Sequence, residues 1–207
     1  IKNKKYSNKK YCLLTFDDGL KEQMNALELL NQKGIPGVFY VTTNSIRKNK
    51  VVNVHKLHHI RSVMSDVDVF KFLDSNVDSN IIQYPENINE LYRYDTLETK
   101  KLKYLLNFIL DSDRKDKLID KLFRQIADEN DFSKKLYMST EDIKKLDSKG
   151  YLGTHGDLHL PLATLSDNDM KKDIEDSLEF LHNSCGFKKI RSISYPYGGP
   201  KAVSLKV

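Results

Sequence analysis

Residues 11–19 read YCLLTFDDG, and this stretch decides the fold. An apolar run through Cys12, Leu13, Leu14 and Phe16 stops at two adjacent carboxylates and a glycine. Neighbouring acids resist ionising together because like charges repel. At the end of a strand the pair has a chemical use, since one carboxylate can bind a cation while the other handles a proton. A buried strand is therefore expected over residues 11–16, with Cys12 as a small apolar interior group.

The neighbouring sequence extends this strand into a repeating unit. In residues 20–33, Met24, Leu27 and Leu30 recur at helical steps, with Ala26 and Leu29 beside them and Gly34 as the C-cap. Residues 38–42, VFYVT, are β-branched and aromatic, as a strand requires. Strand, helix and strand in so short a span make a βαβ unit with parallel strands. The rhythm returns at Ser139-Thr140-Glu141-Asp142, a capping-box start for a helix, followed by a short strand at 151–154. A second capped helix opens at Ser166, carries Ile174, Leu178 and Leu181 on one face and ends before Gly186. A fourth strand is expected at 190–195.

Between these α/β pieces the pattern is different. Residues 51–64, 67–73, 97–110 and 118–126 have helical apolar spacing, and 81–94 is mixed. Residues 44–138 are read as a mostly helical insertion packed over one side of the core, within a single domain spanning 1–207. The insertion contains His55, His58 and His59, which can share one helix face, but no acid or Cys stands beside them, so ordinary helix packing is expected. Its aromatic residues Phe70, Phe72, Tyr84, Tyr92, Tyr94, Tyr104 and Phe108 are expected mainly as core.

Composition narrows the class further. The 207 residues are 39% hydrophobic and 30% charged, with a net charge of +5 and a mean hydropathy of −0.55. No apolar run reaches the roughly eighteen residues of a membrane span. The basic excess comes with no nucleic-acid-binding module, so no nucleic-acid partner is expected. Cys12 and Cys185 give neither a disulfide framework nor zinc-finger spacing. The chain starts at Ile1 without a signal-peptide pattern, so a processed or artificial boundary is expected there. Nothing assigns a compartment between cytoplasm and cell envelope.

Three polar clusters follow strands: Asp17-Asp18-Gly19, then His155-Gly156-Asp157-Leu158-His159, then Tyr195-Pro196-Tyr197-Gly198. In parallel α/β folds the C-terminal strand ends share one face, so these clusters should meet. Two imidazoles and a carboxylate make an open metal site. The metal acidifies a water, and a second carboxylate takes its proton. A two-His-one-carboxylate iron oxygenase would use similar ligands, but has no need of the paired acid.

These residues resemble the polysaccharide deacetylases, the NodB-homology carbohydrate esterases. Thr15-Phe16-Asp17-Asp18-Gly19 is similar to the first motif of that family. His155 and His159, followed by Pro161 and Leu162, resemble its H-x-x-x-H metal motif, and Pro196-Tyr197-Gly198 its third motif. The resemblance covers residues 11–42 and 139–199, but not the insertion. It implies a parallel-stranded distorted (β/α) barrel with Asp17 as catalytic base. Asp18, His155 and His159 would hold one divalent ion, most often zinc. The backbone N–H of Tyr197 would serve the oxyanion, and Tyr195 and Pro196 the substrate. The implied reaction is metal-dependent removal of N-acetyl groups from an amino sugar of a cell-surface or exported polysaccharide.

Two departures from the family pattern stand out. The third motif usually opens with an Arg that orients the base; Ser194 holds that position, and Arg191 lies three residues earlier. A later His that protonates the leaving amine has no counterpart, and four strands are read where the family has about seven. A C-terminally truncated domain is therefore expected. A catalytically impaired, sugar-binding relative that keeps the metal site is the alternative.

Overall fold

The structure is a computed structural model that describes residues 10–77, 82–186, 192–197 and 202–203. The basic lead-in up to residue 9, Arg191, Gly198 and part of the expected fourth strand lie outside the described residues. The chain forms two compact units, Ile1–Lys50 with Ser133–Val207, and Val51–Phe132.

In the first unit, β1 spans Leu14–Phe16. It is shorter than expected and less covered. Tyr11 and Leu13 are exposed, Cys12 is an exposed free thiol, and only Phe16 is half-buried. Apolar sequence was read as interior here, but among the described residues β1 is the edge of its sheet and only Phe16 of the strand stacks inward, on Phe39 at 4.5 Å. Helix α1 follows at Gln23–Gln32 and buries Leu27 and Leu30. Leu29 points outward, 53% exposed. The chain turns through Gly34, at φ +65°, into β2 at Gly37–Val41 and then the short helix α2 at Thr43–Arg47.

The second unit is helical. It contains α3 (Asn53–Val63), α4 (Asp66–Asp74), α5 (Ile88–Leu91), α6 (Leu97–Tyr104) and α7 (Ser112–Phe123). Between α6 and α7, Leu105–Ile109 widens to a π-helical turn. Helix α3 packs on α7, and α4 on α6, around buried Ile60, Leu73, Leu102, Leu122 and Phe123. Lys56 is buried among them and pairs with Asp120 and with Glu129 at 2.8 Å. His59 packs its ring on Phe132 and Phe123, at 4.4 and 5.9 Å. None of the seven aromatic residues expected as core is fully buried: Tyr94 and Phe108 are exposed and the others half-buried. Leucines fill the interior in their place.

Helix α8 (Glu129–Leu136) is an element the sequence reading did not separate. Helix α9 (Thr140–Ser148) opens on the expected capping box, in which Ser139 and Asp142 bond each other's backbone N–H. Strand β3 (Leu152–Thr154) and helix α10 (Asp167–Cys185) complete the first unit, and α10 ends at Gly186 in the left-handed conformation. The sheet order is β1-β2-β3, all parallel, in register at Phe16–Phe39 and Val41–Thr154. Of the expected fourth strand, the described residues show a single parallel bridge, Ile193 to Thr154.

The core of this unit is Leu27, Leu30, Phe39, Val41, Met138, Ile143, Leu146, Leu152 and Leu181, drawn from α1, the sheet, α9 and α10. Each such side chain contributes roughly 1.5–3 kcal/mol of transfer free energy. Packing is tight where the strands approach the site. A Cβ on Gly153 would lie 2.6 Å from the Tyr40 ring, so only glycine fits there.

Candidate functional site

The βαβ pairing brings three chain segments to one end of the sheet. Asp17 and Asp18 leave β1 directly. His155 leaves β3, its N–H donating to the Val41 carbonyl at 2.9 Å. Residues 194–197 follow the Ile193 bridge, where the Ser194 N–H donates to the Thr154 carbonyl at 3.0 Å.

The side chains then converge. His155 Nδ1 lies 2.9 Å from the Ser194 carbonyl. A carbonyl only accepts, so Nδ1 carries the proton and Nε2 presents its lone pair. That Nε2 is 3.3 Å from Asp18 Oδ1, and His159 Nε2 is 3.1 Å from the same oxygen. The three ligand atoms lie within 4.8 Å of one another, and both histidines are buried. Two imidazole nitrogens and a carboxylate oxygen gathered this closely are donor types that a divalent ion takes together. The donor set therefore fits a divalent ion. Among the described residues no other group of three or more His, Cys, Asp or Glu is so arranged, the histidines of α3 included.

Backbone strain is concentrated here. Four non-glycine residues among those described have positive φ, and three are at this site: Asp18 (+76°), His159 (+57°) and Tyr197 (+58°). Such conformations cost of order 1–3 kcal/mol each and persist where surrounding structure enforces them. His159 Nδ1 is buried without a hydrogen-bond partner among the described residues. Its ring is set instead by edge contacts with His155 and Tyr197, at 5.1 and 4.9 Å.

Asp17 takes a different position from Asp18. It is exposed, its carbonyl accepts from Gln23 Nε2 at 2.6 Å, and its Oδ2 accepts from Ser194 Oγ at 3.1 Å. Tyr197 is half-exposed, Tyr195 is half-buried and Pro196 is buried.

Asp157, between the histidines, is outside the ligand group. Its carboxylate is buried and accepts from Arg47 Nη2 at 2.6 Å and Thr43 Oγ1 at 2.7 Å. The loop is held from its other side by Asp173 of α10, whose two oxygens accept the Asp157 and Leu158 N–H groups at 3.0 and 2.8 Å. Burial pushes the Asp173 carboxyl up, against those two hydrogen bonds. Gly156, at φ +79°, is required between them, because a Cβ would lie 2.6 Å from Asp173 Oδ2. Sequence reading missed Thr43, Arg47, Asp173 and Gln23. The only signal for Asp173 was its place on the buried side of an amphipathic helix.

The geometry defines a class of site, one that offers a carboxylate and two imidazoles to an ion beside a second, exposed carboxylate. The family model described as polysaccharide deacetylase matches residues 4–207, and the chain belongs to that family. Membership implies a hydrolase acting on amide bonds, with carbohydrate as substrate. Comparison with curated proteins and with solved structures gives no match. No helix among the described residues is long and apolar enough to cross a membrane.

Proposed function

We propose that this chain is a metal-dependent hydrolase removing N-acetyl groups from an amino sugar of a cell-surface or exported polysaccharide. The observation that carries this reading is the meeting of Asp18 Oδ1 with the Nε2 atoms of His155 and His159, at 3.3 and 3.1 Å, in a polysaccharide deacetylase chain. Two nitrogens and one oxygen, with positions left open, suit zinc. A bound divalent ion supplies Lewis acidity and a water acidified toward neutrality.

Asp18, His155 and His159 hold the ion, and Asp17 takes the proton of the attacking water. Water would add to the acetyl carbon as Asp17 takes its proton, the C–N bond would break, and that proton would pass from Asp17 to the leaving nitrogen, giving free amine and acetate. The Tyr197 backbone N–H donates to the carbonyl oxygen as it gains charge, a contribution of ~3 kcal/mol. Tyr195 flanks the sugar, and the buried Pro196 fixes the backbone from which it projects. The parallel sheet is read as part of a distorted (β/α) barrel of one NodB-like domain, with 44–138 as its helical insertion.

Acetate release from chitooligosaccharides by the zinc-loaded chain tests the reading. Asp17→Asn should cut release by about 100-fold or more while zinc stays bound. Glycan binding without acetate release by the unaltered chain would overturn it in favour of a sugar-binding relative.

A further inference from the structure

Ser194 makes three contacts with three different parts of the site. Its N–H is tied to the Thr154 carbonyl at 3.0 Å, its carbonyl faces His155 Nδ1 at 2.9 Å, and its hydroxyl donates to Asp17 Oδ2 at 3.1 Å. The two backbone contacts fix the Cα beside the end of β3, so only the side-chain torsion remains to aim the hydroxyl. Asp17 needs such a partner. Gln23 holds its carbonyl, but its side chain is exposed and water alone would let the carboxylate rotate.

We propose that Ser194 is the positioning residue for Asp17. Its hydroxyl holds one carboxylate oxygen and so sets the rotamer from which the base serves the site. Its main chain meanwhile fixes the tautomer of His155. Base and ligand are thus oriented from one residue. A hydroxyl is an uncharged donor, so it aims the carboxylate through one charge-assisted hydrogen bond without adding a full positive charge beside it. The catalytic consequence rests on the deacetylase reading above; the orientation of Asp17 does not.

The two are tested apart. In Ser194→Ala the backbone contacts stay, so zinc affinity by calorimetry should remain within about twofold. The Asp17 side chain should pass from one χ1 rotamer to averaging among several, read from NMR scalar couplings in the zinc-free chain. On chitooligosaccharides kcat should fall roughly 10- to 100-fold with KM unchanged, the loss expected for one hydrogen bond to a charged group. Ser194→Thr, which keeps the hydroxyl, should restore both the rotamer and most of kcat. In an Asp17→Asn background Ser194→Ala should change kcat little further. An Asp17 side chain already averaged in the unaltered chain, an unchanged rotamer in Ser194→Ala, or a loss of zinc affinity comparable with the fall in kcat would each overturn the proposal. Absence of acetate release by the unaltered chain would count against the deacetylase reading alone, since the rotamer measurement needs no turnover.

Discussion

Arg47 Nη2 donates to Asp157 Oδ2 at 2.6 Å, so the acid lying between His155 and His159 in sequence is turned away from them. Thr43, four residues before Arg47 on α2, donates to the other oxygen at 2.7 Å. A carboxylate two residues from each histidine would compete for any ion they hold. Pairing it with a cation and a hydroxyl makes it an anchor for the loop instead.

This anchor should be costly to break from one side. Asp157 is almost fully buried, whereas a third of the Arg47 side chain meets solvent. Arg47→Met leaves a buried carboxylate with one hydroxyl, and is expected to destabilise the first unit by about 3 kcal/mol. The shift in denaturation midpoint at constant slope measures it. Arg47→Met combined with Asp157→Leu should recover much of the loss, and a double variant no better than the single would contradict this account.

Asp173 supports the same loop through two acceptors at once. Asp173→Asn keeps one and turns an NH2 group toward the other N–H, leaving a buried donor unmet at a cost of roughly 1–3 kcal/mol. The loop carries both histidines, so zinc affinity should fall about 10- to 100-fold as well. Calorimetric titration with zinc reads this directly, and unchanged affinity would detach Asp173 from the site.

The two adjacent acids should separate experimentally. Asp18→Ala or His159→Ala is expected to abolish stoichiometric zinc binding by the purified chain, whereas Asp17→Asn should keep it. Metal content after dialysis measures both. Full zinc occupancy in both Asp18→Ala and His159→Ala would show that the ligands lie elsewhere.

In the helical unit, Asp66 opens α4 and accepts Arg61 Nε and Nη2 at 2.7 and 2.8 Å and Thr99 Oγ1 at 2.6 Å. The Arg61 hydrogen bonds lower its pKa from 3.8, outweighing burial, and Thr99 adds to them. A depressed folded value means that the charged form stabilises the fold. The contribution is present above 3.8 and is lost as pH falls through the lower folded value. Asp66→Asn should therefore cost about 1 kcal/mol at neutral pH, and the gap to the unaltered chain should close below pH 3.8. A gap independent of pH between 3 and 7 would show that the pairing carries no charge term.

How much of this was legible beforehand differs from residue to residue. Helix α1 and its Gly34 stop, the capping box at Ser139 and the parallel βαβ unit follow from apolar spacing and turn chemistry within a dozen or so residues. The juxtaposition of Asp18 with His155 and His159 followed from one topological rule about strand ends. Cys12 was misread because an apolar run does not say where the strand within it begins, nor whether that strand lies at the centre or the edge of a sheet. The length of β1 and the half-exposed aromatics of the helical unit were misjudged for the same reason, since burial depends on neighbours supplied from elsewhere in the chain.

The sequence by itself determined that Thr15-Phe16-Asp17-Asp18-Gly19 ends a strand with two acids and that His155 and His159 end another. Strand and helix periodicity are local properties, written in residues that touch along the chain. Only the tertiary structure decided how the acids of the site divide. Asp18 faces the imidazoles, Asp157 is held by Arg47, and Asp17 is held by a serine 177 positions away. Those partners are selected by the directional, short-range geometry of hydrogen bonds between segments that meet only once the sheet has formed.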